Sequence, residues 1–194
     1  MKKQILLVAL SGLMISACNQ SDPATEAHTG DHEEIPSAAL RESYEDTPGM
    51  EKVTINSGET LVAQGDYLNG KKTGTWTEYQ SNGLIQTITS FVDGQKNGLM
   101  ISIDKQGKVE QRSYFHNDLK HGESVKYKHT RIISIETYLN GKKEGAVKKY
   151  YDNGTIQEES NYQNGILHGL AKWYDQEGTV TIEYEYDEGK LVKQ

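Results

Sequence analysis

Cysteine and proline are both scarce in this chain of 194 residues. The sequence contains one cysteine, Cys18, and three prolines, the last of which is Pro48. A single thiol excludes an intramolecular disulfide and a cysteine-rich metal site. The absence of proline after Pro48 is typical of a chain built from hydrogen-bonded strands, because proline has no N–H to donate to a sheet.

Large apolar side chains and positive charge are also in short supply. Hydrophobic residues make up 35% of the chain, with only two Phe and two Trp, and the net charge is −7. Twelve Tyr and nineteen Gly stand in their place. This composition favours a thin, turn-rich β structure over a thick globular core. The excess of acid argues against nucleic acid as a partner.

Catalytic signatures are absent as well. The sequence has no G-x-S-x-G, H-E-x-x-H or G-x-x-x-x-G-K-[ST] motif, and a thin sheet encloses little volume for an active site. The stretch His28–Glu34 groups two histidines with three acids, but Gly30 interrupts it and its surroundings predict no fixed structure. We therefore expect no enzymatic activity, no cofactor and no metal site.

The first eighteen residues indicate a targeting segment. Lys2 and Lys3 precede a short apolar run, which is followed by "ISAC" at residues 15–18. This pattern resembles the lipobox of bacterial lipoprotein signal peptides. The resemblance implies that residues 1–17 are removed and that Cys18 carries fatty acyl chains such as palmitate, which suffice for stable anchoring. An ordinary secretory signal with an incidental cysteine is the alternative. No later segment is apolar enough to span a membrane.

Residues 18–50 predict a flexible acidic linker. Acids outnumber bases eight to one between residues 19 and 50, so this stretch buries too little apolar area to offset its ordering entropy. One helical turn is favoured around residues 37–44. Asn19 differs from the Asp that is associated with retention in the inner membrane of enteric bacteria. We therefore expect a protein of the cell envelope, anchored by lipid in the outer membrane.

Residues 51–194 contain an internal repeat of 23 or 24 residues. Four columns keep this step. They are an aromatic column (Tyr67, Phe91, Phe115, Tyr138, Tyr162, Tyr186), a second column that is mostly tyrosine (Tyr79, Ile103, Tyr127, Tyr150, Tyr174), a glycine column (Gly74, Gly98, Gly122, Gly145, Gly169) and an apolar column (Ile85, Val109, Ile133, Ile156, Val180).

Each repeat also carries two turn signals. The first follows the aromatic residue (Asn69-Gly70, Asp93-Gly94, Asn140-Gly141, Asn164-Gly165, and Gly189), and the second lies half a repeat later (Asn82-Gly83, Gln106-Gly107, Asn153-Gly154, Glu177-Gly178). Asn-Gly pairs tolerate the positive φ that tight hairpin turns require. Strands of six to eight residues fit between the turns. The pattern predicts an elongated antiparallel meander of β-hairpins, forming a twisted, curved single-layer sheet of eleven or twelve strands.

Alternation along these strands predicts the two faces of the sheet. Ile85, Phe91 and their copies share an apolar, buried face, and residues such as Gln86, Ile88 and Ser90 form a wet one. Trp76 and Tyr79 are three residues apart, so plain alternation separates them. A bulge after the glycine column would bring both to one face.

The pattern Y-x-N-G-x-x-x-G-x-x-x-x-Y-x-x-N-G resembles the MORN repeat, in the variant common in bacterial proteins. The resemblance extends from Val53 to Gln194. The third repeat departs from it with Asp118 in place of glycine, "KHTRI" in place of the second turn, and one residue fewer. This departure indicates either a kink in the stack or sequence drift.

A column of lysines is the sharpest candidate for a binding site. Lys72, Lys96, Lys120 and Lys143 each lie two residues before a repeat glycine, and Leu167 breaks the series. In a meander they would form a row of positive charge along one rim, suited to an anionic partner. Solvated turn lysines that deter edge aggregation are the competing interpretation. His121 and His168 occupy a variable polar column, so we expect them to be exposed.

Repeat arrays without catalytic residues act by surface recognition. We therefore expect a lipid-anchored, monomeric scaffold that binds a protein or an envelope polymer. The resemblance implies an alternative, because many bacterial proteins with this repeat variant are labelled as antitoxin components. In that case the protein would be an immunity-type lipoprotein that neutralises a toxin.

Overall fold

The structure is a computed structural model that describes residues 36–193. These residues form fourteen β-strands. The strands are β1 (Leu40–Ser43), β2 (Met50–Ser57), β3 (Thr60–Leu68), β4 (Lys71–Tyr79), β5 (Ile85–Val92), β6 (Gln95–Ile103), β7 (Val109–His116), β8 (Leu119–Lys128), β9 (Arg131–Leu139), β10 (Lys142–Tyr150), β11 (Ile156–Gln163), β12 (Ile166–Tyr174), β13 (Val180–Asp187) and β14 (Lys190–Lys193).

The strands form one open antiparallel sheet whose spatial order is the chain order. This confirms the predicted all-β meander of hairpins. The count exceeds the expected eleven or twelve because the short strands β1 and β14 are added at the two ends. The predicted signal peptide (residues 1–17), the lipidation site Cys18, Asn19 and the segment His28–Glu34 lie outside the described residues. No helix that could span a membrane occurs between residues 36 and 193.

Strand β1 lies within the range 18–50 that the sequence predicts as linker. Its four residues pair with β2, from Leu40 opposite Thr54 to Ser43 opposite Glu51. The helical turn predicted around residues 37–44 is therefore wrong. A single helical turn fixes several dihedrals for one hydrogen bond, whereas the edge of β2 offers this segment a ready-made ladder of hydrogen-bonding groups.

The first turn of each repeat has the predicted two-residue geometry. Asn69 and Gly70 both have positive φ, at 51° and 79°, and the other copies are alike. Such turns match the right-handed twist of the flanking strands. The second turn is different, because only its glycine, such as Gly83 with φ 82°, lies in that region. Five residues, 80–84, separate β4 from β5 there.

The third repeat continues the sheet without a break. Strands β8 and β9 are joined by His129 and Thr130 alone, so the missing residue is lost from the turn. Tyr127 consequently pairs with Ile132, as Tyr79 pairs with Ile85. The assignment of Ile133 to the apolar column is therefore wrong by one residue. Asp118 replaces the turn glycine with φ 65°.

One face of the sheet, which we call the Trp76 face, carries a continuous row of cross-strand partners. Residues directly opposite each other in a sheet share a face. The row comprises Trp76, Thr89, Met100, Ser113, Ser124, Glu136, Val147, Ser160, Ala171 and Tyr184. All but Met100 and Tyr184 are buried, so this row is the core of the sheet.

The opposite face, which we call the Val125 face, changes character along the sheet. Its central row begins with Thr77, Ile88, Ile101, Arg112, Val125 and Ile135, and it ends with Lys148, Glu159, Lys172 and Glu183. Val125 is completely buried, so this face is not wet throughout, contrary to prediction. In the second half Lys148 pairs with Glu159 at 3.1 Å and Lys172 with Glu183 at 2.9 Å.

Strict alternation fails at two places in each hairpin. The pairing of β3 with β4 is irregular between Thr73 and Thr77, next to Gly74, where the bulge was predicted. Strand β4 itself has no extra residue between Trp76 and Tyr79, so the two lie on opposite faces, and the prediction that a bulge brings both to one face is wrong.

The pairing of β4 with β5 skips Gln86. Ile85 consequently lies opposite Tyr79 on the Val125 face, whereas Phe91 lies on the Trp76 face, so the prediction that both share one face is wrong.

Candidate functional site

The lysine column forms a regular row on the Trp76 face, which we call the lysine row. Each lysine is the second residue of its strand and lies opposite the aromatic residue of the strand before it. Lys72 pairs with Tyr67, Lys96 with Phe91, Lys120 with Phe115 and Lys143 with Tyr138. All four lysines are half-buried. The structure thus brings together the residues that the sequence singled out.

Each lysine also contacts the aromatic ring of the following repeat. The Nζ atoms lie 5.4 Å, 5.6 Å, 4.9 Å and 5.3 Å from the ring centroids of Phe91, Phe115, Tyr138 and Tyr162. Lys72 additionally lies 4.8 Å from the ring of Trp76. These distances are in the range of cation–π attraction. The half-buried lysines therefore join neighbouring repeats.

The exception in the series is informative. In the fifth copy Leu167 pairs with Tyr162, in the position that lysine occupies in the earlier copies. A leucine can pack on an aromatic ring but brings no charge. The lysine stems thus have an apolar packing role that leucine can also fill, and the ammonium group is an addition to it.

Backbone hydrogen bonds fix the lysine row relative to the turns. The N–H of the second turn residue donates to the carbonyl oxygen of the lysine one repeat earlier, as from Gly94 to Lys72 at 2.9 Å and from Gly165 to Lys143 at 2.8 Å. Asp118 makes the same bond to Lys96 at 3.0 Å, and its carboxylate accepts a second from the Lys96 N–H at 2.8 Å. The carboxylate thus compensates for the missing glycine.

Glu136 is a buried acid beside the lysine row. Its carboxylate accepts a hydrogen bond of 2.6 Å from the Tyr138 hydroxyl and lies 3.7 Å from the Lys143 Nζ. Burial raises the pKa of Glu136, but the Tyr138 hydrogen bond and the charges of Lys143, Lys126 and Lys120 outweigh it, so the pKa is lowered. Two members of the lysine row therefore share one internal counter-charge.

The remaining predicted residues serve the repeat geometry. The Tyr79 hydroxyl accepts a hydrogen bond of 2.8 Å from Gln64, and the Tyr174 hydroxyl donates one of 3.3 Å to Glu159. His121 and His168 are exposed as expected, and His168 lies 3.3 Å from Asp187. No group of residues able to hold a metal ion occurs in the described part of the chain.

Sequence reasoning missed Glu136 and Gly65. A Cβ atom on Gly65 would lie 2.5 Å from the Trp76 ring, so glycine there makes room for the largest side chain. The signal was present in the repeat register, because the copies of Gly65 are Thr89, Ser113, Glu136, Ser160 and Tyr184. Gly65, the only glycine among these copies, faces Trp76. Glu136, the only acid among them, lies beside the lysine row.

Comparison with protein families agrees with this geometry. Residues 143–164 and 167–188 each match the model of the MORN repeat variant. These two matches span strands β10 to β13, and the same hairpin pairing extends over the strands before them. No curated protein matches the chain. The matches support a MORN repeat protein, and MORN repeats are generally involved in binding proteins or membranes.

Proposed function

We propose that the protein is a lipid-anchored scaffold of the bacterial cell envelope that binds a protein or an envelope polymer. The observation that carries this proposal is the lysine row, in which four cationic groups lie in register on one face, each held by an aromatic ring. A row of this kind presents a repeated charge to a partner that is itself extended. The repeat match supports the same class of activity.

Anchoring rests on the "ISAC" sequence at residues 15–18. Mass spectrometry of the protein from the membrane fraction should find Cys18 at the N-terminus with acyl chains attached. The variant Cys18→Ala should leave the membrane fraction. A wild-type protein that retains residues 1–17, or that lacks acyl chains, would refute the anchor. Fractionation of inner from outer membranes tests the proposed location in the outer membrane.

Binding is tested by capture with the mature lipidated protein as bait. A scaffold should retain an envelope polymer or several proteins at low salt, and the retained material should decrease as salt rises. We further propose that it does so as a monomer and without catalysis. Light scattering on the purified protein tests the first point, and unchanged chemical composition of the captured partner tests the second.

A second candidate function is that of an immunity lipoprotein that neutralises a toxin. It is favoured by the match to the MORN repeat variant, through the antitoxin labels that many bacterial proteins with this repeat carry. It predicts a single partner in fixed stoichiometry, whose toxicity is relieved by co-expression of this protein. Several partners, or a polymer, in the same capture experiment would exclude it.

A further inference from the structure

The lysine row has a fixed spacing and a fixed height above the sheet. Successive lysines are two strands apart along the sheet, which corresponds to about 9.6 Å. Each Nζ atom lies between 4.8 Å and 5.6 Å from a ring centroid, so the ammonium groups are restrained before any partner arrives. A restrained side chain loses less rotamer freedom on binding. The row therefore has the properties of a preorganised linear site.

The turns next to the lysine row decide what shape of partner can reach it. Each lysine lies two residues from the two-residue turn of its own hairpin, and those turns lie beyond the row at the rim. Two of the neighbouring turns carry an acid, Asp93 and Asp118. The exposed Lys71 and Lys142 lie at the same rim, so a flat anionic surface that touched it would meet mixed charges there and not the lysine row. A narrow chain lying across the strands on the Trp76 face can contact the lysines instead.

We infer that the lysine row binds a linear acidic polysaccharide in which charged sugars alternate with neutral ones. This inference rests on the proposed scaffold function and specifies the partner as an envelope polymer. One hairpin separates successive lysines of the row, and two sugars separate successive charges of such a polysaccharide. Each charge can therefore lie opposite one lysine. The polysaccharide runs perpendicular to the strands, along the row from Lys72 to Lys143.

Glu136 limits the affinity of the lysine row for the polysaccharide. It competes with the polysaccharide for Lys120 and Lys143, because its buried carboxylate already interacts with both. The Lys72 end of the row lies several strands from this acid. The substitution Glu136→Gln keeps the shape of the side chain and a hydrogen-bond acceptor for Tyr138 but removes the charge. It should therefore strengthen binding of the polysaccharide.

The test uses the full lipidated chain in detergent and calorimetric titration with hyaluronate oligosaccharides, which carry one carboxylate per two sugars. Wild-type protein should bind with an affinity that falls with salt. Replacing all four row lysines by Leu, as Leu167 occurs naturally, should weaken binding about tenfold or more. Replacing them by Arg should preserve binding. Glu136→Gln should tighten it about threefold.

A matched control removes the same charge elsewhere. The exposed lysines Lys105, Lys108, Lys190 and Lys193 lie away from the row, and their replacement by Leu should change affinity much less. Thermal unfolding checks that each variant is folded. The inference would be overturned if the two quadruple variants lost affinity equally, or if Glu136→Gln left the affinity unchanged. It would also be overturned if neutral dextran bound equally well, or if the protein bound phosphatidylglycerol vesicles but not the oligosaccharide. The scaffold function itself fails only if capture with wild-type protein retains no envelope component.

Discussion

Two regions of the Trp76 face hold the same hairpin geometry with different chemistry. In strands β2 to β4 the core is an apolar cluster, which we call the N-terminal cluster (Val53, Ala63, Tyr67 and Trp76). In strands β7 to β11 the same row is mostly polar, and we call this part the central polar row (Ser113, Ser124, Glu136 and Ser160). Every member of both groups is buried. The repeat therefore specifies a backbone, and the means of stabilising it can vary.

The two regions should differ in local stability. Burial of a large apolar side chain stabilises by about 1.5–3 kcal/mol, whereas a typical internal hydrogen bond contributes about 1 kcal/mol net. In a repeat array each unit contacts only its neighbours, so the local differences are not averaged over the whole molecule. Backbone amides of β3 and β4 should exchange more slowly than those of β7 and β8.

The largest expected effect is at the centre of the N-terminal cluster. Trp76→Ala removes a side chain that is 2% exposed and packs edge-on against Tyr67 with ring centroids 5.2 Å apart. We expect a loss of about 3–5 kcal/mol in the free energy of unfolding, measured by chemical denaturation. The half-buried Trp173, changed in the same way, should lose clearly less. Equal losses would show that burial in the N-terminal cluster does not set the contribution of Trp76.

Gly65→Ala tests the close approach beneath the same ring. The added methyl group would lie 2.5 Å from Trp76 atoms, so the ring or the strand must move, with a loss of about 1–3 kcal/mol. The loss should disappear when Trp76 is first changed to Ala, because the obstructing ring is gone. A loss that persists in the double variant would point to the glycine backbone instead.

Glu136→Gln tests the charged member of the central polar row. Because the folded pKa is lowered below its usual range, the ionised carboxylate stabilises the protein above that range, and this contribution is lost as pH falls through the lowered pKa. At neutral pH we expect a loss of about 1–2 kcal/mol. The difference from wild type should shrink in acid. A difference that is independent of pH would show that charge is not involved.

The serine hydroxyls should give the smallest effects and also differ among themselves. Ser124 Oγ is 2.8 Å from Ser113 Oγ and accepts a bond of 3.1 Å from Gln111, so Ser124→Ala should cost about 1 kcal/mol. Ser134 is buried, and its hydroxyl has no hydrogen-bond partner among the described residues. Ser134→Ala should therefore be neutral or slightly stabilising. Thermal unfolding of the two variants side by side distinguishes these outcomes.

The sequence predicted the backbone well because its signals are local. Glycine and asparagine at fixed intervals determine turns, and the spacing between turns determines strand length and neighbour order. The lysine row was predicted for the same reason, since a column in sequence becomes a row in a meander. What each lysine touches could not be predicted, because the ring it contacts belongs to the next repeat and its position depends on the irregular pairing beside Gly74.

The faces were harder to predict than the strands. Gln86, the residue skipped in the pairing of β4 with β5, changes which face the following side chains lie on. The column pattern in the sequence does not reveal this change. Ile132 and Ile133 illustrate this, since the register and not the residue type decides which of them pairs with Tyr127. The apolar half of the Val125 face was missed because alternation was judged from one strand, whereas its row crosses ten.

The identity between chain order and spatial order has a mechanical consequence. A pulling force applied at one end would load a single hairpin at a time, so the sheet should peel open strand by strand and not rupture as one block. The force needed to open each hairpin would depend on how well that hairpin is packed. Extension traces should then show a series of small steps, with the highest at the N-terminal cluster, where Trp76 is buried.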